Sequence, residues 1–178
     1  MRKNRTNQPR RYSSSKHAAS AAGRELTLLL LRLLSEQQLI PKGLFESKKK
    51  KSRKLWEMRR LGYITSNADV TIRGKYMLSE EKIWSLTIPY QKHWDGKWRM
   101  VLFDIPAKKS KQRESFRLRL KELGLVLYQN SVWICPYPLE KTIRAISDFY
   151  MISDCVLFVV AEKLNGENKL MQTFGLKK

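Results

Sequence analysis

The 178 residues carry 36 Lys and Arg against 16 Asp and Glu, a formal net charge of +20, and 42% are hydrophobic, enough to bury cores in one ordinary domain or two small ones. So large a basic excess calls for a polyanion, with nucleic acid ahead of an anionic membrane surface. The leucine run Leu28 to Leu31 is cut by Arg32 far short of a bilayer span, so neither a transmembrane segment nor a membrane partner is expected. Cys135 and Cys155 sit in strand-like runs without CxxC spacing or a histidine pair, which reads as reduced, buried thiols of a cytoplasmic protein and not as a zinc site.

Residues 1–23 are rich in Arg, Asn, Ser, Gln and Ala and show no hydrophobic periodicity, the composition of a disordered basic arm. Residues 24–86 then read as one module. Leu26, Leu29, Leu30, Leu33 and Leu34 recur at helical spacing over residues 24–38, and Pro41 stops that helix. A short element is expected around residues 43–46, followed by a basic helix whose Leu55, Met58 and Leu61 share a face and which closes at Gly62. Two short strand-like runs, residues 63–65 and 69–70, flank the polar turn Ser66-Asn67-Ala68, and Thr71 is placed to cap a helix reaching Trp84. Helix, helix, basic helix, hairpin and closing helix is the order of a winged helix-turn-helix.

Residues 87–96 have the proline, glycine and lost periodicity of a linker. Residues 97–178 alternate differently. A strand over 98–105 precedes a helix with Phe116, Leu120 and Leu123 on one face, closed by Gly124. Strands near 125–128 and 131–135 follow, then a helix with Leu139, Ile143, Ile146 and Tyr150 in register, then a strand over 155–161. This β-α-β-β-α-β order is ferredoxin-like, so the expected class is α+β, a winged helix followed by a ferredoxin-like dimerisation domain.

Lys48, Lys49, Lys50, Lys51, Ser52, Arg53, Lys54 and Glu57 lie on the expected reading helix and are the candidate DNA contacts, with Asn67 and Arg73 added from the wing. Four consecutive lysines speak more of phosphate than of sequence. Trp56 and Trp84 are read as core or partly buried packing in preference to base stacking. The second domain has a basic face of its own, Lys108, Lys109, Lys111, Arg113, Arg117 and Arg119, following Asp104. Asp104 ends a strand before a proline, the place of a turn opener. A lone carboxylate is a poor metal site, and a pair of Asp104 side chains across a homodimer would be a better one for magnesium. No catalytic residue is assigned, since the sequence has no HxH, DxD or Ser-His-Asp ordering. His17 and His93 have no partners suited to a base or a metal ligand and are expected at the surface.

The stretches "GKWRMVLFDIPAKKSKQRESFRLRLKELGLVLYQNSVWICPYP" and "CVLFVVAEKLNG" resemble the central domain of PaaX-type transcriptional repressors, itself similar to the small ferredoxin-fold nuclease of CRISPR adaptation. "LGYI" and "VTIRGK" resemble the wing and closing helix that such repressors carry ahead of that domain. The resemblance implies a homodimeric repressor that reads double-stranded DNA at a pseudo-palindromic operator. It also implies a further C-terminal region, associated with an acyl-CoA effector, that these residues do not contain, so the effector is unknown. At Asp104 it implies a candidate magnesium ligand without implying activity, and no cofactor is required otherwise. The alternatives are a magnesium-dependent endonuclease and a non-catalytic nucleic-acid-binding scaffold in a CRISPR-adaptation-like complex.

Overall fold

The computed structural model describes residues 21–89, 91 and 93–176. The expected arm falls largely outside these residues, as does His17, but Ala21, Ala22 and Gly23 already belong to the first helix. The chain divides into two compact units, Met1–Lys82 and Ile83–Lys178. No helix among the described residues is long and apolar enough to cross a membrane.

The first unit holds α1 (Ala21–Ser35), α2 (Lys48–Arg60) and α3 (Ile72–Ser85), whose last turn contains the unit boundary. Leu30 and Leu31 of α1, Met58 of α2 and Ile64 form its buried core, with Leu44, Phe45 and Leu55 packed around them. α1 ends earlier than its leucine pattern suggested. Gln37 takes φ 54°, and the N–H groups of Gln37 and Gln38 turn back to the carbonyls of Leu34 and Leu33, a Schellman closure without glycine. The element expected around 43–46 is a series of turns and not a helix. Gly43 sits at φ +94°, a conformation that interrupts a helix, and Leu44 and Phe45 reach the core from the turn.

Between α2 and α3 the expected hairpin is reduced to a single antiparallel bridge, Ile64 to Val70. One backbone and one side-chain bond close the turn. Thr65 N–H donates to the Asp69 carbonyl (2.9 Å), and Asp69 N–H donates to Thr65 Oγ1 (3.1 Å). Thr71 caps α3 as its position suggested, accepting from Gly74 N–H at 3.1 Å and donating to the Gly62 carbonyl at 2.7 Å.

The second unit is a four-stranded antiparallel sheet of β1 (Trp98–Phe103), β2 (Val126–Gln129), β3 (Val132–Cys135) and β4 (Val156–Ala161), in the order β2-β3-β1-β4. Helices α4 (Ser110–Glu122) and α5 (Glu140–Phe149) make the two crossovers, giving the β-α-β-β-α-β order of the sequence and an α+β fold. β1 is central and buried on both faces. Val101 and Phe103 join Phe116, Leu120, Trp133, Ile143 and Ile146 in the larger core, while Trp98 turns to the opposite face with Ile134. That second face is covered by α6 (Glu167–Phe174), a helix absent from the expectations, through Leu170 and Met171. β4 is an edge strand of uncharged residues with Leu157 and Val160 exposed.

Within the segment expected as a linker, Ile88 packs on the larger core and Trp94 lies against Trp98 with ring centroids 4.9 Å apart. The buried Arg99 guanidinium gathers this entry strand. Its Nη1 donates to Asp95 Oδ1 (2.6 Å), the Lys97 carbonyl (2.9 Å) and the Pro136 carbonyl (3.0 Å).

Two outcomes follow from this packing. A Cβ on Gly74 would collide with the Tyr63 carbonyl oxygen and lie 2.8 Å from Val70, so Gly74→Ala should destabilise the first unit by about 1–3 kcal/mol despite alanine's better helix propensity, read as a lowered urea midpoint. Both cysteines are free, and burial pushes the Cys135 thiol up to about 11. At pH 8 only about one Cys135 in a thousand is then thiolate, so mass spectrometry after brief iodoacetamide treatment of the native protein should show Cys135 unmodified and alkylated only after denaturation.

Candidate nucleic-acid interface

α2 is a helix whose own charges oppose it. Its thirteen residues, KKKKSRKLWEMRR, hold eight Lys or Arg and one acid, and its first turn has no carboxylate to meet the helix dipole. Lys49 and Arg53, and Lys50 and Lys54, are like-charge neighbours one turn apart, which destabilises a solvated helix. Three local features hold it. Ser47, in extended conformation, accepts the Lys50 N–H at 3.2 Å as the N-cap. At the other end Gly62 (φ +73°) and Tyr63 donate to the carbonyls of Arg59 and Met58, both at 2.9 Å, completing a Schellman motif. Between them Met58 is fully buried.

Burial divides the candidate contacts. Lys48, Lys49, Lys50, Ser52 and Arg53 are exposed, and Lys50 is ion-paired with Glu46, whose carboxyl it holds below the ordinary range through a hydrogen bond. Lys51 is half-buried. Lys54 points inward, its Nζ donating to Glu57 and to the Gly23 carbonyl, both at 3.2 Å, so Lys54 and Glu57 neutralise one another beside α1. Asn67 is exposed at the tip of the turn. Arg73, in the first turn of α3, stacks on the Tyr63 ring at 5.5 Å.

Three residues on this surface were missed. Arg59 and Arg60 extend the basic face to the end of α2, and Trp56, read as packing, is 60% exposed with the Arg60 guanidinium 5.7 Å from its ring centre. The signal was available: an apolar stripe through Leu55, Met58 and Leu61 leaves position 56 on the other side of the helix.

The basic run of the second unit is less uniform. Lys108 and Lys111 are exposed, whereas Arg119 is turned into the protein, donating to the Leu86 carbonyl, pairing with Glu122 at 3.4 Å and lying 5.3 Å over the Trp84 ring. It leaves the expected basic face because α4 also buries its neighbours Phe116 and Leu120. Asp104 is exposed, and it is its N–H that bonds, to the Cys155 carbonyl at 3.0 Å, ending β1 two residues before the expected Ile105. Among the described residues no three His, Cys, Asp or Glu side chains gather where they could hold a metal.

Residues 91–172 match the PaaX protein central Cas2-like domain. The match runs from ahead of β1 into α6. No curated protein matches the chain.

The cap is the most direct test of how α2 is held. Ser47→Ala should cost about 1 kcal/mol, seen as a lower thermal midpoint.

Proposed function

We propose that the protein is a sequence-reading, double-stranded-DNA-binding regulator of the PaaX-like kind, a repressor that occludes a promoter as a homodimer on a pseudo-palindromic operator. The observation that carries this reading is α2, a capped helix presenting Lys48, Lys49, Arg53, Arg59 and Arg60 outward while Met58 anchors it in a core. A helix about 10–12 Å across fits the major groove, where arginine pairs with guanine edges and lysine meets phosphate. The turn after α2, with Asn67 at its tip, serves as the wing, and α3 closes a winged helix. The ferredoxin-like unit pairs two chains and sets the spacing of half-sites. In this reading α2 carries so many like charges because its working partner is a polyanion.

The test is selection of duplexes from a random library in chelator at about 0.15 M salt, where purely non-specific binding is weakened. An inverted repeat is expected, and recovery of DNA with no shared motif would overturn the sequence-reading part. If about six phosphates are neutralised, log affinity should fall against log salt with a slope near −5, whereas a flat response would remove the electrostatic basis. The endonuclease alternative rests on Asp104. Magnesium-dependent cleavage that disappears in Asp104→Ala would establish it in place of the regulator.

A further inference from the structure

The phosphate backbone explains the lysines of α2 but not the tryptophan among them. Trp98 and Trp133 are buried, as large aromatics usually are, yet Trp56 stands 60% exposed in the middle of the most charged helix of the chain. Helical spacing puts Lys49, Ser52, Arg53, Arg59 and Arg60 around it, at seven, four and three residues before and three and four after. Arg60 lies over the indole at 5.7 Å, which holds both side chains in one arrangement before any partner arrives. Leu55 and Met58, on the opposite side, fix which face of the helix is outward.

The charge around Trp56 selects a polyanion as the occupant of this face; a phosphate oxygen can accept one hydrogen bond from the indole Nε1–H but offers nothing to its apolar ring. What a duplex offers an apolar group in its major groove is the thymine 5-methyl, the one apolar mark on the base edges there. We infer that Trp56 is a specificity-determining residue that packs against a thymine methyl in the major groove, with Arg60 held beside it to reach an adjacent base edge. This deepens the DNA-reading assignment of α2 and rests on it. Stacking on a base would instead need that base out of the helix, as in single strands.

The experiment replaces thymines one at a time by deoxyuridine, which removes only the methyl, in the duplex that the wild-type chain selects from a random library. At one position uracil should weaken the wild-type protein by about fourfold, the worth of one buried methyl, and should leave Trp56→Ala unchanged, while Trp56→Phe keeps part of the discrimination. Because the side chain is exposed, both variants should keep the wild-type thermal midpoint. Uracil tolerated at every position, or costing the wild type and Trp56→Ala equally, overturns the inference and leaves DNA reading intact. Trp56-dependent preference for single strands over duplex overturns it in favour of stacking. Binding to no duplex at all overturns both the inference and the function it rests on.

Discussion

Electrostatic crowding on α2 is the constraint around which the first unit is arranged. Eight cations on thirteen residues would fray an isolated helix of this length, which is marginal in water even without repulsion. The unit responds at each point where a helix can be held: a serine cap before the lysines, a glycine closure after the arginines, a methionine sunk in the core between them, and one lysine turned inward onto a glutamate. Each contributes on the order of 1 kcal/mol, comparable to the repulsion it offsets. The exposed charges that remain are those with no role in folding. The anionic partner proposed above would account for their retention on the outer face.

The second unit solves a different problem. A four-stranded sheet with helices on one face leaves the other to water, yet β1 alternates large apolar residues to both sides. α6 covers that second face and gives Trp98 a lid of Leu170 and Met171. Arg99 completes the arrangement from the strand's entrance, where its hydrogen bonds satisfy a buried guanidinium and tie residues 95–97 to the end of β3.

Much of this was legible in the residues. Period-2 and period-3.6 patterns located all four strands and both crossover helices, because each places one strongly apolar face on a single core. Gly62 and Gly124 announced helix ends because only glycine takes positive φ without steric penalty. Gln37 and Met151 make the same turn with side chains that carry no such signal, so α1 was extended too far. The turn after α2 was expected as paired strands where one bridge exists, since the Thr65 hydroxyl takes the Asp69 N–H in place of a longer ladder. α6 was invisible from its own eight residues: its amphipathic face matters only once Trp98 is known to point toward it. The basic surface was half legible. Charge located α2, but a run of like residues does not say which of them face out, and both the inward Lys54 and the outward Trp56 are consequences of where Met58 is anchored.

The bare edge at β4 gains a meaning when set beside the charge. Val156–Ala161 offers unpaired backbone groups and two exposed apolar side chains, with no lysine or proline to discourage a passing strand. At a net charge of +20, mutual repulsion between molecules does the work that a gatekeeper residue would do elsewhere. That protection is colloidal and not steric, and ions remove it. Under the proposed function, the salt that would free the protein from DNA also screens molecules from one another's charge, so solubility and nucleic-acid release would be set against each other by one variable.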